Sequence, residues 1–300
     1  MPAVPRARSD VQDATVTQLH PGRDVVNVML GEFLRQCREE RRLNQSDLAT
    51  VIRGSVSKIS RLERGESPAK ERDVLDLADF MRLDAEERQT IHRLLDGARN
   101  EAWYQQFSDV TPTYLKRLIA LEGLAVAIMA YENQVVPGLL QTPAYARSLV
   151  KAVRENDWEV ERAVEMRMRR QQILRENTSL RLTALIDQGV LLRARGGAAA
   201  MRQQLEYLLE VAERKKANIR IVPFARGADV TPPYAITQLE FAAEGPSDLV
   251  YVERLNAADY LTNVDIVDKY RRDLHQLHDA AAGRVESQQL IRKAIEDHYS

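Results

Sequence analysis

Residues 44–65, NQSDLATVIRGSVSKISRLERG, predict two short helices joined by a tight turn. Asn44 and Ser55 are preferred helix N-cap residues, and Gly54 supplies the turn that precedes the second cap. Gly65 ends the second helix. Apolar side chains recur at helical spacing in both halves, namely Leu48, Val51 and Ile52 in the first and Val56, Ile59 and Leu62 in the second. Two short helices arranged in this way form a helix-turn-helix.

The sequence on either side of this pair predicts three more helices. Apolar residues at i, i+3, i+4 and i+7 spacing begin at Leu30 and define the first helix of the set. Ser67-Pro68 combines an N-cap residue with proline at the first helical position, and predicts the start of the fourth. Asp84 opens a capping box at the start of the fifth. We therefore expect a five-helix bundle over residues 29–99.

The charges of this bundle are unevenly distributed along the chain. Residues 35–64 carry eight cations and four anions, whereas residues 71–96 carry four cations and eight anions. The formal net charge of the whole chain is only -1, so the total does not point to nucleic acid. The alternative interpretation is a solvated face, which is the usual role of charges on a short helix. Spacing, turn and polarity together favour double-stranded DNA as the partner.

The segment LGEFLRQCREERRLNQSDLATVI, followed by SVSKISRLERG, resembles the xenobiotic-response-element family of bacterial helix-turn-helix regulators. Arg53-Gly54 departs from the family pattern, in which Gly followed by an aliphatic residue is more common. The resemblance implies that the third helix, at about 56–63, lies in the major groove. It also implies that Arg38 and Glu63 form a buried pair, so we interpret both as structural.

On this resemblance, the outward side chains of the third helix contact DNA. Arg and Lys match the acceptors of guanine, and Ser can serve several bases, so Ser57, Lys58 and Arg61 are the predicted base contacts. Val56 is placed to contact a thymine methyl group. Gln45, Ser60 and Arg64 are placed to contact phosphates, which position the protein without reading sequence. Ser55 starts the helix as its cap. The predicted DNA-binding set is Gln45, Ser55, Val56, Ser57, Lys58, Ser60, Arg61 and Arg64.

The length of 300 residues favours more than one domain. We predict a flexible tail over residues 1–28, a helix-turn-helix domain over 29–99, a connector over 100–117 and a regulatory and dimerisation domain over 118–300. The apolar run at 118–131 is predicted to be part of a buried helix that begins near 113. β-branched or alternating runs predict four strands, at 180–187, 218–224, 235–242 and 248–255. Further helices are predicted at 143–155, 157–176, 198–214, 263–282 and 286–298. The expected fold is α+β overall, with a helix-rich α/β C-terminal domain of about four strands.

Four segments of the second domain carry a further resemblance: YENQVVPGLLQTPAYARSLV, RMRRQQILRE, GGAAAMRQQLEYLLEVAERKKANIRIVPF and LVYVERL. They resemble the C-terminal domain of antitoxin-like transcriptional regulators of actinobacteria, over about 120–295. The family usually has an Asp-Glu pair after one strand, where this chain has Asp187-Gln188. The resemblance implies a small partner protein encoded nearby.

Signals for catalysis or metal binding are weak. Of five histidines, only His275 and His278 are close in sequence, and Cys37 is the one cysteine. A zinc site needs more ligands than that, and no phosphate-loop or dinucleotide motif appears. We expect no catalytic residues, no metal and no cofactor. No run approaches the roughly 20 apolar residues of a membrane span, and the N-terminus lacks a signal-peptide core, so we expect a cytoplasmic protein without membrane contact.

Three functions remain open from the sequence. The first is a sequence-specific transcriptional regulator whose second domain forms a homodimer and senses a signal. The second is an antitoxin-like adaptor whose main role is to bind a small partner protein. The third is an enzyme fused to a DNA-binding domain, for which Asp187 is the candidate group. For dimerisation, the apolar helix at 118–131 and the C-terminal helices are the predicted material.

Overall fold

The structure, a computed structural model, describes residues 25–67, 69–177, 179–227, 229–242, 247–254 and 257–299. Its N-terminal part is a bundle of five helices, which confirms the predicted bundle. The helices are α1 (Val25–Glu40), α2 (Gln45–Val51), α3 (Val56–Glu63), α4 (Glu71–Phe80) and α5 (Ala85–Gln105).

Three of the predicted caps start helices of the bundle. The backbone N–H of Asn44 donates to Oδ2 of Asp47 at 2.8 Å, which fixes the first turn of α2. Ser55 Oγ accepts from the backbone N–H of Lys58 at 3.2 Å at the start of α3. Asp84 begins α5 with the predicted capping box. These side chains satisfy backbone groups that a helix end otherwise leaves without partners.

Two helix starts differ from the prediction. The flexible tail was expected over residues 1–28, but Val25–Val28 form the first turn of α1, and Val26 is fully buried. Residues 1–24 lie outside the described residues. The predicted start of α4 at Ser67-Pro68 is wrong, since Lys70 is the N-cap residue. The backbone N–H of Ala69 donates to Asn27 in α1 at 3.3 Å and so ties the preceding segment to another helix. Pro68 itself lies outside the described residues.

The C-terminal part combines helices with six strands. Its helices are α6 (Thr113–Leu124), α7 (Pro143–Lys151), α8 (Asp157–Arg170), α9 (Ile173–Glu176), α10 (Gln188–Leu192), α11 (Ala198–Glu213), α12 (Phe224–Gly227), α13 (Val264–Ala280) and α14 (Arg284–His298), with a short 3-10 helix at Gly138–Leu140. Its strands are β1 (Ala127–Glu132), β2 (Arg181–Asp187), β3 (Asn218–Val222), β4 (Ile236–Glu240), β5 (Leu249–Arg254) and β6 (Ala257–Leu261). The α+β fold is confirmed, with six strands instead of about four.

The predicted connector, residues 100–117, is largely helical. It contains the end of α5 and the start of α6, which leaves 106–112 between the two helices. The helices predicted at 143–155 and 157–176 are shorter than expected: α7 ends at Lys151, and the second divides into α8 and α9.

The six strands form one mixed sheet in the order β3-β2-β1-β4-β5-β6. The strands β1, β2 and β3 are parallel, and β4, β5 and β6 continue the sheet antiparallel to their neighbours. β1 is central, with Ala130 opposite Ala184 of β2 on one side and Thr237 of β4 on the other. β2 and β3 therefore extend the sheet on one side of β1, and β4, β5 and β6 extend it on the other.

The prediction of a helix across 113–131 is wrong in its second half. α6 ends at Leu124, and Ala127–Glu132 form the central strand β1. Helices cover both faces of the sheet, so a central parallel strand is apolar on both sides. A short continuous apolar run of this kind does not distinguish a buried strand from a buried helix.

Each face of the sheet has its own hydrophobic packing. On one face, β-strand residues such as Tyr131 and Leu185 pack with Val267, Leu274 and Leu277 of α13. On the other face, a second cluster includes residues of α7, α8, α11 and α14. That cluster continues through α6, which packs against α1 and α5. The bundle and the sheet therefore share one hydrophobic core.

Candidate nucleic-acid interface

The third helix, α3, is held close to α1 by backbone contact. A Cβ atom added to Gly31 of α1 would lie 2.3 Å from the carbonyl oxygen of Leu62. Only glycine permits this approach. On the inner side of the pair, Leu48 of α2 and Ile59 of α3 are fully buried. These contacts fix the direction in which the outer face of α3 points.

The turn between α2 and α3 closes at Arg53. Its φ of 48° lies in the left-handed region, and the next backbone N–H, of Gly54, donates to the carbonyl of Ala49 at 2.8 Å. This is the hydrogen-bond pattern of a Schellman motif, in which glycine usually occupies the left-handed position. The departure at Arg53-Gly54 therefore places an exposed cation where the chain turns.

A buried ion pair anchors the end of α3, as the resemblance implied. Arg38 donates to Glu63 through Nε at 2.6 Å and through a terminal nitrogen at 3.1 Å. Only 11% of the Arg38 side chain and 3% of the Glu63 side chain are exposed. A second donor, Nε2 of Gln45, reaches the same carboxylate at 2.7 Å. Gln45 was predicted to contact phosphate, and its side chain here also holds α2 to α3.

The outer face of α3 presents a mixture of small, apolar and basic side chains. Val56 is 48% exposed, and Ser57 and Arg61 are exposed beside it. Among the described residues, the Arg61 side chain has no hydrogen bond or ion pair. Guanidinium groups bind the O6 and N7 acceptors of guanine well. Arg61 is therefore the cation of α3 that is most available to a base.

The other predicted contacts of α3 are engaged within the protein. Lys58 Nζ lies 2.7 Å from Oδ2 of Asp73 in α4, and the Lys58 side chain is 37% exposed. Arg64 donates to Ser60 Oγ at 2.6 Å and to Glu66 at 2.9 Å. The hydrogen bond with Glu66 raises the pKa of Arg64. Each of these cations must leave or share its partner before it can neutralise a phosphate or bind a base.

The basic segment contains fewer free cations than its sequence suggests. Arg35 and Arg41 pair with Glu39 and Glu87, at 2.8 Å and 2.7 Å. Within the part of the chain that the structure describes, Arg42, Arg53 and Arg61 are exposed and have no ion-pair partner. Arg42 and Arg53 were outside the predicted set. Their left-handed conformations, with φ of 55° and 48°, place them at the ends of α1 and α2.

Comparison with protein families divides the chain in the same way as the fold. The helix-turn-helix domain family matches residues 29–91, and a domain of unknown function, DUF5753, matches residues 115–293. The chain belongs to the DUF5753 family. No match was found among curated proteins or among solved structures. A helix-turn-helix domain indicates a DNA-binding transcriptional regulator, and the DUF5753 domain begins within α6, beside the bundle.

Two of the polar groups that the sequence singled out in the DUF5753 domain, Asp187 and His278, contact other groups of the protein. Oδ1 of Asp187 accepts from the backbone N–H of Gly189 at 2.7 Å and so caps α10. His275 and His278 both lie on α13, and Nε2 of His278 lies 3.4 Å from a terminal nitrogen of Arg220. Over the described parts of the chain, no three His, Cys, Asp or Glu side chains group as metal ligands would. The search of the same residues for a helix able to span a membrane found none.

Proposed function

We propose that this DUF5753 protein is a sequence-specific transcriptional regulator of the xenobiotic-response-element type. The recognition helix is α3, which enters the major groove with Arg61 as its principal base contact. The observation that carries the proposal is the exposed Arg61, without a partner among the described residues, on a helix whose inner face is fixed by the Arg38–Glu63 pair. A rigidly held helix with a free guanidinium is suited to bidentate recognition of guanine.

The protein acts as a homodimer in this proposal, because one helix-turn-helix buries little surface on DNA. The apolar residues of α6 were expected to contribute, but Leu118, Ile119, Leu121 and Leu124 are buried within the chain itself. The C-terminal helices α13 and α14 offer better contacts, since Val264 and Val285 are 66% and 70% exposed. The DUF5753 domain would then join two copies and receive the signal, without catalytic activity, in the cytoplasm.

Sequencing of the DNA bound in cells tests the proposal. Cross-linked fragments should share one short motif, repeated about one helical turn apart for a dimer. The matched control is the Arg61→Ala chain, whose bound fragments should show a weaker and relaxed motif while the protein remains folded. Fragments without a common motif would contradict sequence-specific regulation.

A second candidate function is the antitoxin-like adaptor. Val153 and Trp158 are 82% and 60% exposed near the junction of α7 and α8, and exposed aromatic side chains commonly anchor protein interfaces. A small protein that co-purifies with the wild type and is lost from a Trp158→Ser variant would favour this role. Retention of the same protein by the variant would remove the observation that supports it.

A further inference from the structure

A cavity of about 330 Å³ lies between the sheet and the helices α6 and α8. Its floor is formed by side chains in register across three strands, because Ala130 lies opposite Thr237, and Thr237 lies opposite Tyr251. Leu118 of α6 and Arg167 of α8 form part of the opposite wall. The volume falls in the range of about 300–1,000 Å³ that small-molecule sites occupy.

The cavity is located where ligands bind in many α/β proteins. Glu132 is the last residue of β1, so the cavity reaches the carboxyl end of the central strand. β1 pairs with the parallel strand β2 on one side and with the antiparallel strand β4 on the other. In open α/β sheets, ligands commonly bind outside the carboxyl ends of the parallel strands.

Most of the charged side chains in the cavity have partners within the protein. Arg170 donates to both carboxylate oxygens of Glu122 at 2.6 Å, which forms a bidentate pair. Arg167 donates to the amide oxygen of Gln141 at 2.9 Å. The Tyr251 hydroxyl donates to Glu253 at 3.1 Å.

Glu132 is the exception. Among the residues that the structure describes, its carboxylate has no hydrogen-bond or ion-pair partner. After the Glu122–Arg170 pair is set aside, the lining retains two carboxylates, Glu132 and Glu253, against the single guanidinium of Arg167. Burial and the negative charge of Glu253 raise the pKa of Glu132 to about 8. An isolated carboxylate in such a site gains most from an added positive charge.

We infer that the cavity binds a small organic cation, a protonated amine with an apolar body, whose ammonium group lies between Glu132 and Glu253. The apolar body fits the hydrocarbon side chains of the lining, which include Leu115, Leu118, Ile128, Leu139, Leu149 and Leu182. An anionic ligand is disfavoured, because it would lie beside Glu132 and Glu253, and Arg167 is the one guanidinium of the described lining without an ion-pair partner. A bare metal ion would leave the apolar walls without contacts.

The position of α6 gives the ligand a route to the DNA-binding bundle. α6 supplies Leu115, Leu118 and Glu122 to the cavity and packs against α1 and α5. A ligand that moves α6 therefore moves a helix in direct contact with α1, against which α3 is packed. This regulatory consequence rests on the proposed function, whereas ligand binding itself does not.

Calorimetric titration of the full-length chain in the absence of DNA tests the site. The probes are phenethylamine, cyclohexylmethylamine and tryptamine, with 3-phenylpropionate and 2-phenylethanol as the anionic and neutral counterparts of the first. We expect at least one amine to bind and both counterparts to fail. Glu132→Gln should weaken amine binding tenfold or more, while Glu165→Gln, on the exposed side of α8, should leave it unchanged.

Proton release provides a second measurement. Glu132 faces Glu253 and Tyr251 of β5, Arg167 and Arg170 of α8, and Glu122 of α6. An ammonium group beside Glu132 favours its ionised form, so binding near pH 7 should release close to one proton and binding near about pH 9 should release almost none. Titrations in buffers of different ionisation enthalpy measure this number.

Three results would overturn the inference. They are the failure of all three amines up to roughly 10 mM, equal binding of amine and 3-phenylpropionate, and unchanged amine binding by a folded Glu132→Gln chain. None of these results depends on DNA, so they leave the proposed regulator intact. Conversely, a chain without DNA specificity could still bind the amine.

Discussion

In the proposed regulator, Arg61 has the sequence-reading role at the scale of single residues. Since its guanidinium is exposed on α3 and has no partner among the described residues, Arg61→Ala should cost about 1–3 kcal/mol on the preferred site and relax its sequence preference. Arg64 is held by Ser60 and Glu66. Arg64→Ala should weaken binding to all DNA sequences evenly. It should also lower the dependence of affinity on salt concentration by the equivalent of about one phosphate contact. Titrations on specific and random duplexes at several salt concentrations compare the two. An equal loss on both duplexes for Arg61→Ala would contradict the base contact.

Glu63 has a structural role that can be measured separately from DNA binding. Glu63→Ala would leave Arg38 and Gln45 without their shared acceptor. Removing one partner of a buried pair typically costs about 3–5 kcal/mol. Asp76→Ala is the control in the same bundle, because its pair with Arg72 is 3.9 Å long and exposed, and it should cost less than about 1 kcal/mol. Thermal melting of the full chain compares the two variants. Equal midpoints would place Glu63 outside the core.

Glu132 should make stability depend on pH. Its folded pKa of about 8 exceeds the ordinary value of 4.5, so the folded chain keeps a proton that the unfolded chain releases between these values. Wild-type stability therefore falls as pH rises through this window, relative to Glu132→Gln, by up to about 1.4 kcal/mol per pH unit. Denaturant unfolding from pH 5 to about 9 measures the difference. A constant difference across the range would mean that the Glu132 carboxyl is not perturbed by burial.

The residue-scale predictions from sequence succeeded where the signal is local. Asn44, Ser55 and Asp84 were recognised as caps because each cap residue and its hydrogen-bond partner lie within one turn. The Lys58–Asp73 and Gln45–Glu63 contacts were not predicted. Each joins separate helices, and their partners become neighbours only when the bundle packs.

At the scale of elements, two glycines in helices should respond oppositely to alanine. A Cβ at Gly31 would clash with the backbone of Leu62 and Glu63, so Gly31→Ala must separate α1 from α3 and should cost roughly 1–3 kcal/mol. A Cβ at Gly123 in α6 meets nothing within 4 Å. Gly123→Ala should therefore stabilise by up to about 1 kcal/mol through helix propensity. Unfolding of both variants in denaturant provides the comparison, and a stabilising Gly31→Ala would refute the close approach.

The elements that were missed share a physical cause. β1 is an apolar run inside a covered sheet, where neither strand alternation nor helical spacing is required. β6, with the sequence AADYL, is a short strand that, within the described residues, pairs with β5 alone. Its identity depends on the edge offered by β5 rather than on its own composition. The four strands that were predicted carry the β-branched or alternating pattern themselves.

At the scale of the whole molecule, the proposed homodimer predicts how DNA length affects affinity. The full chain should be a dimer by light scattering. It should bind paired half-sites about one helical turn apart more tightly than a single half-site, because the second contact becomes intramolecular. Val285→Asp on α14 should weaken the dimer if α13 and α14 form its interface. Val153→Asp, at another exposed valine, is the control and should leave the dimer intact. A monomer that binds single and paired half-sites equally would exclude the dimer.

In the proposed regulator, the Lys58–Asp73 ion pair has a consequence for how the protein finds its operator among the other sites of a chromosome. In the free protein Lys58 is already occupied, at 2.7 Å from Asp73. On random DNA, no matching base acceptor replaces the contact with Asp73. Lys58 therefore stays paired with α4 and contributes little to non-specific binding. At the correct site the exchange is favourable. A genome offers about 10⁶–10⁹ competing sites. An internal competitor that weakens non-specific binding more than operator binding therefore reduces the number of copies held on irrelevant sequence.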